Sequence, residues 1–377
     1  MDNMISRAYE YAIYPNPEQI NLFVRTFGCC RLIWNLMLAE RIDYYVENHE
    51  QKEFTPATFK TEERKFLREV DSYALANEQI FLRKAYTNFF RKDAKFPKFK
   101  KKGDPKHRSY TTSNVNDTIR LDVENSVIRL PKVGWVKIKL HRNLPKDAVI
   151  KNVTVKQTAS GKWKCSICFE CPESFLKTKR KSKARKAETL TLGLDYKSDG
   201  LFVDSNGRCA LMPHFFRDSQ KKLAKAQRKL DRMVKHSNNY EKQRKKVAKL
   251  HEKVANQRKD FLHKEAKYLA DMYEVICVED LNMQAMARSL KLGKATHDNA
   301  FGMFRTMLAY KLADRDGILL KAEKKFSSSQ RCHCCGEKNP EVKNLKIRKW
   351  DCPSCGAHHD RDVNAAINLK QYALGLT

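Results

Sequence analysis

Two cysteine pairs stand late in the chain, Cys332/Cys335 and Cys352/Cys355, each a C-x-x-C, with sixteen residues between the pairs. Each pair runs into a glycine, Gly336 or Gly356, so a tight turn can aim both sulfurs inward. Four thiolates in a tetrahedron select Zn²⁺, and a complete set leaves no open position for substrate. The expected zinc is therefore structural. His333, His358 and His359 are further ligand types close by, and Cys334 has the wrong spacing.

Three carboxylates suggest a different chemistry. Asp195 ends an alternating run, Leu190, Leu192 and Leu194, and Glu279 ends the apolar run Val275–Val278. Asp362 opens the helix-like stretch Val363-Asn-Ala-Ala-Ile-Asn368. If the two strands are neighbours in one sheet and the last helix packs on it, the three acids converge. Converging carboxylates hold two Mg²⁺ or Mn²⁺ ions about 4 Å apart, an arrangement suited to phosphodiester hydrolysis. A lone acid at a strand end is ordinarily a turn or cap residue. Asp362 can also serve as an N-cap, and Asp360 is the alternative third acid. It is the set of three, in one basic zinc-bearing chain, that points to a metal-dependent nuclease.

The charge balance agrees. The 377 residues carry 75 Lys+Arg against 44 Asp+Glu, a formal net charge of +31. That excess suits a polyanionic partner, because each phosphate neutralised releases condensed counterions. No run of eighteen apolar residues appears and the first residues lack an apolar signal core, so no membrane span or secretion is expected. Twelve cysteines then suit a reducing, cytoplasmic setting.

The positive charge is concentrated in two places. Residues 91–108 hold nine Lys/Arg and two Asp, with Phe96 and Phe99 set among Lys98, Lys100, Lys101 and Lys102. Proline and glycine keep this stretch from forming a long helix, and it reads as a phosphate-tracking loop. Residues 217–259 hold sixteen Lys/Arg and four Asp/Glu. Helix pairing by ion pairs needs both signs, so Arg228, Arg232, Arg244 and Lys245 are expected to face nucleic acid.

The elements that must position these groups follow from periodicity. Residues 6–14 read as a strand, and 17–95 as helices whose aromatics (Phe23, Phe27, Trp34, Tyr44, Tyr45, Phe89 and Phe90) are mostly interior. Short strands over 109–172 suggest a small barrel or sandwich. Within them Cys165-x-x-Cys168-x-x-Cys171 is not a metal site, because strand side chains three apart face opposite ways. Cys29-Cys30 reads as a buried helical pair. Residues 174–188 are a basic linker. Beyond it come two strands around the turn Asp204-Ser-Asn206-Gly207 and a helical hairpin over 215–272 broken at 236–240. The Glu279 strand, a helix over 299–314 and a strand from Ile318 follow.

Gly193-Leu-Asp195-Tyr, Val278-Glu279-Asp-Leu-Asn282 and Cys352-Pro-Ser-Cys355-Gly followed by Asp360-Arg-Asp362-Val-Asn-Ala-Ala-Ile-Asn368 resemble the three RuvC motifs and zinc ribbon of the TnpB family. Tyr11-Ala-Ile-Tyr-Pro-Asn-Pro, Phe27-Gly-Cys-Cys-Arg31, Trp34-Asn-Leu and Phe96-Pro-Lys-Phe-Lys are similar to the family's N-terminal half. The resemblance covers nearly the whole chain. It implies a multidomain α+β protein. A wedge β-barrel (1–15 and 109–173) would carry an inserted helical recognition domain (16–108). After the 174–188 linker would come an RNase H-like RuvC nuclease domain (189–325 and 356–377) with an inserted zinc ribbon (326–355).

The resemblance also implies an RNA-guided DNA endonuclease that binds a guide RNA, reads a short motif beside double-stranded target DNA and cuts at one RuvC centre. Asp195, Glu279 and Asp362 would hold Mg²⁺ or Mn²⁺, and Cys332, Cys335, Cys352 and Cys355 would hold Zn²⁺. It sets no oligomeric state. The alternatives are a non-cleaving repressor or transposition accessory, a strand-transfer transposase, and a compact CRISPR effector derived from a transposon nuclease. A prokaryotic, nucleoid-associated setting goes with the first reading.

Overall fold

The computed structural model describes residues 3–183, 186–197, 200–213, 215–281 and 300–376, with the side chains of 105 and 216 excepted. Asn282 and the first residue of the helix expected over 299–314 lie outside them. The chain divides into two compact units, Met1–Phe175 and Leu176–Thr377.

The first unit is built on a seven-stranded antiparallel sheet. Its strands are β1 (Met4–Tyr14), β2 (Ser109–Ser113), β3 (Arg120–Asp122), β4 (Val127–Leu130), β5 (Gly134–Lys139), β6 (Val149–Gln157) and β7 (Trp163–Pro172), in the order β2-β6-β7-β1-β5-β4-β3. The two edge strands are consecutive in sequence, joined by residues 114–119. A flat sheet would hold its edges roughly 29 Å apart, beyond the roughly 24 Å that this link can span. The sheet therefore curls. Asn114 sits at the junction, donating to the Ile150 carbonyl (3.0 Å) and accepting from the Ile119 amide (2.8 Å).

Burial along β7 alternates strictly, which puts Cys165 and Cys171 in the core and Cys168 on the other face. Among the described residues these three form no metal-binding group.

Helix α1 (Pro17–Asn48) opens with a capping box, in which Asn16 accepts from the Gln19 amide and Gln19 accepts from the Asn16 amide. By length and composition α1 could cross a membrane. Its buried face, Phe23, Phe27, Cys30, Trp34 and Met37, instead belongs to the unit's core, together with Leu75 and Leu82 of α2 (Ser72–Phe90). Of the seven helical-region aromatics, Tyr45 and Phe90 are the exposed ones.

The second unit carries a five-stranded sheet: β8 (Thr191–Tyr196), β9 (Phe202–Asp204), β10 (Cys209–Ala210), β11 (Val275–Glu279) and β12 (Ile318–Ala322), after a short α3 (Ala187–Leu190). The order is β10-β9-β8-β11-β12, antiparallel among the first three and parallel from β8 to β12. The Asp204–Gly207 turn closes the β9/β10 hairpin, with Gly207 at φ 81° and Asp204 accepting from the Asn206 and Arg208 amides.

A helical hairpin, α4 (Phe215–Asp231) and α5 (Asn238–Met272), breaks at the Ser237 cap. The last turns of α5 and helix α6 (Phe301–Ala313) pack on Leu192, Leu194, Ile276 and Val278. Helix α7 (Arg361–Ala373) takes the opposite face, against Cys277 and Ala322. A small hairpin of β13 (Lys349–Asp351) and β14 (His358–Asp360) leads directly into α7.

Candidate active site and metal centre

Strand alternation decides where the acids point. On β8, Leu192 and Leu194 face α5 and α6, so Gly193 and Asp195 face α7. On β11, Ile276 and Val278 likewise leave Cys277 and Glu279 on the α7 side. The two strands pair in parallel with Cys277 beside Gly193 and Val278 beside Leu194, so Glu279 and Asp195 end adjacent strands on one face.

Helix α7 lies close over them because residue 193 has no side chain. A Cβ there would stand 1.9 Å from the Ala366 carbonyl oxygen and 2.6 Å from the Lys370 nitrogen. Asp362, one turn before Ala366, is thereby delivered to the same strand ends.

The electrostatics record this meeting. Asp195 is half-buried, and its carboxyl is held well above the usual range, first by desolvation and then by the negative charges of Glu279 and Asp362. Burial also raises Glu279, opposed by a hydrogen bond from Ser328 and by the positive charge of Arg361. Arg361 pulls Asp195 down as well, and its own Nε is buried with no hydrogen-bond partner among the described residues. Such a set has surplus negative charge, which divalent cations offset. The three acids are not drawn within 4.8 Å of one another as the thiols below are.

Asp360 is the N-cap of α7, its Oδ1 accepting from the Asp362 and Val363 amides at 3.1 Å each. Asp362 lies inside the first turn, so the capping role considered for it belongs to Asp360 instead. The Asp362 Oδ1 is 3.4 Å from the guanidinium of Arg348.

The four cysteines come together. Cys332 and Cys355 sulfurs are 3.6 Å apart and Cys335 and Cys352 sulfurs 3.5 Å, close to the roughly 3.8 Å edge of a tetrahedron with Zn–S bonds of about 2.3 Å. Both knuckles share one geometry. Gly336 and Gly356 take positive φ, 78° and 69°, and each amide returns to the first cysteine carbonyl of its pair at 2.9 Å.

The Cys355 and Ser354 amides pull the Cys352 thiol down to about 7, which favours the thiolate a metal needs. Val342 and Trp350 form the small core behind the cluster. His359, buried on β14, places Nε2 3.0 Å from the Cys332 sulfur. It also groups with Cys334 and Cys332 as a second set of ligand atoms.

Several contacts tie these two centres together, and sequence reasoning missed them. Ser328 donates its hydroxyl to Glu279 Oε1. Asn368 donates to the carbonyls of Ser328 (2.8 Å) and Arg331 (2.6 Å), and Asn364 donates to Arg331 (2.7 Å). The i, i+4 spacing of Asn364 and Asn368 was the one signal for a shared face of a helix. Ser328, inside a run of three serines, offered none.

The basic residues sort into two kinds. Lys98, Lys101, Lys102, Arg228, Arg232 and Lys245 are exposed, Arg244 is half-buried against Glu241, and Phe96 and Phe99 stand exposed among the lysines. Lys100 differs. Its ammonium is engaged by buried Glu78 and lies over the Trp34 ring, 4.2 Å from the centroid.

Comparison with known proteins adds an independent line. A family model described as "Probable transposase" matches residues 166–290, a "Cas12f1-like, TNB domain" model matches 301–369, and a "Helix-turn-helix domain" model matches 1–50. A Streptomyces pristinaespiralis protein provisionally named an RNA-guided DNA endonuclease is 33% identical, over 98% of this chain and 90% of its own length. The InsQ protein of Escherichia coli K12, provisionally named likewise, is 34% identical over 96% and 91%. The solved Cas12f1–sgRNA–target DNA complex matches in fold, with a TM-score of 0.59 at 11% identity over 97% of this chain and 99% of that one.

Proposed function

The chain belongs to the TnpB family, and from that we propose that it is an RNA-guided DNA endonuclease with one catalytic centre at Asp195, Glu279 and Asp362. The observation that carries the reading is the pairing of β8 with β11, which sets Asp195 beside Glu279 under the start of α7. Order β10-β9-β8-β11-β12 supports an RNase H-like domain, and the curled seven-stranded sheet supports a wedge barrel with α1 and α2 as its helical insert. On this reading residues 326–355 are a zinc ribbon inserted in the nuclease domain, and 174–188 link the two halves.

Guide RNA and double-stranded target DNA are the partners, held through the exposed Lys98, Lys101 and Lys102 and the α4/α5 surface. RNA pairing reads target sequence, while the protein reads a short flanking motif and backbone shape. Mg²⁺ or Mn²⁺, when bound by the three acids, supplies activation of water and stabilisation of the leaving oxygen. The protein's part is to hold the three carboxylates in register at the strand ends and the start of α7. Zn²⁺ at Cys332, Cys335, Cys352 and Cys355 is structural. A cytoplasmic protein, on the nucleoid when bound to DNA, fits these partners.

The test is to purify the protein with its RNA, sequence that RNA, and present a matching DNA duplex with Mg²⁺. Parent protein should cut. Asp195→Ala should bind RNA equally and not cut, and intact cutting by that variant would reject the assignment.

A further inference from the structure

Glu279 is held on one side by a residue that belongs to the zinc-ribbon approach. Ser328 lies 49 residues downstream and is buried, and its hydroxyl donates to Glu279 Oε1. Its carbonyl accepts from Asn368 on α7, the helix that also carries Asp362. Three residues on, the Arg331 carbonyl accepts from both Asn364 and Asn368. Asn364 also accepts, through Oδ1, from the His333 amide at 3.1 Å, immediately after the zinc-ligand position Cys332. Segment 328–333 is thus fastened to Glu279 at one end and to α7 along its length.

We propose that Ser328 is a positioning residue for the catalytic ions. It fixes the rotamer of Glu279, and Asn368 fixes Ser328 relative to Asp362, so the spacing of the two acids is set through the ribbon approach. The proposal rests on the nuclease reading above for its purpose, not for its geometry.

The physical reason is that a carboxylate at a strand end has free side-chain torsions. An unheld Glu279 must give up that freedom when a cation binds. A hydroxyl donor on one oxygen removes the freedom beforehand and leaves the other oxygen for the ion. Asn368 is buried, and its side-chain amide donates to both the Ser328 and the Arg331 carbonyl, which ties the segment to α7 at two points.

The experiment uses full-length protein with its co-purified RNA and compares parent, Ser328→Ala and Ser328→Thr. Mn²⁺ binding is titrated by the electron paramagnetic resonance signal of free ion, and zinc content is measured in parallel. Ser328→Ala should weaken Mn²⁺ binding by about tenfold or more. Ser328→Thr, which keeps the hydroxyl, should restore it, and zinc should stay at the parental level in both. In cleavage, Ser328→Ala should raise the Mg²⁺ concentration for half-maximal rate more than it lowers the rate at saturating Mg²⁺.

Unchanged Mn²⁺ affinity in Ser328→Ala overturns the proposal, as does a loss that threonine fails to restore. Zinc loss in Ser328→Ala would mean a merely structural role and overturns it too. If parent protein binds Mn²⁺ but cuts nothing, the nuclease reading fails while the positioning result still stands or falls by itself.

Discussion

Gly193 lies directly beneath Ala366, so close that a Cβ at 193 would reach 1.9 Å from the Ala366 carbonyl oxygen. The obstacle is backbone, which cannot rotate away as a flexible side chain can. This one absent methyl group lets α7 approach the sheet and bring Asp362 to Asp195.

Gly193→Ala is therefore expected to push α7 off β8, at a cost of about 1–3 kcal/mol or more. Cleavage should collapse and the melting temperature of the second unit should fall, while guide-RNA binding should persist. Melting followed by circular dichroism, with a cleavage assay beside it, checks this. A variant that melts and cuts like the parent would show that the approach is not required.

The raised carboxyl of Asp195 sets a pH dependence for protein freed of divalent ions. Its folded-state value lies above the unfolded one, so its contribution to stability is complete below the unfolded value of about 3.9 and is lost as pH rises through the folded value. At neutral pH the Asp195 carboxyl is a burden, because the unfolded chain ionises it more readily than the folded site does. Asp195→Asn should melt higher than the parent in chelator at pH 7 and lose that advantage toward acid pH. Added Mg²⁺ should stabilise the parent increasingly as pH rises and leave the variant nearly unmoved. Melting curves across pH, with and without Mg²⁺, decide it.

Zinc removal should act at a distance. Cys352→Ser, or a strong chelator, should release one zinc per protein and unfold the β13/β14 hairpin, because metal binding is coupled to folding in a core as small as that of Val342 and Trp350. Since β14 runs straight into α7, hydrogen exchange should rise there too, and cutting should fall although no catalytic acid has changed. Full activity in zinc-free protein would contradict this.

The basic residues should divide by mutation. Charge removal at Arg228, Arg232 or Lys245 should lower RNA or DNA affinity with stability unchanged. The slope of log affinity against log salt should shrink by about 1 for each phosphate no longer neutralised. Lys100→Ala should instead destabilise the first unit by roughly 3 kcal/mol, because it strands buried Glu78. Binding across a salt series, paired with denaturant melts, separates the two behaviours.

The residues singled out by spacing were legible because their signals are local. A C-x-x-C before glycine makes a knuckle wherever it folds, and the two pairs meet at sulfur distances suited to zinc. Strand alternation marked the ends occupied by Asp195 and Glu279, and it also kept Cys168 apart from Cys165 and Cys171. Excess positive charge marked the exposed stretches. Lys100 was not separable from its neighbours, since its partner Glu78 lies 22 residues earlier on another element. Asp362 reads as a possible cap from residue type alone, but the first turn of α7 gives that role to Asp360, which single residue types do not resolve.

By itself, then, the sequence determined the ligand types, their order along the chain and the periodicities that aim them, since these depend on covalent spacing and backbone geometry. Tertiary structure decided that β8 and β11 are neighbours, that α7 closes on Gly193, and that Ser328 holds Glu279. Those relations join residues tens to more than a hundred positions apart. They exist only once packing of the apolar faces has chosen one strand order and one register, and with it which polar groups are left to meet.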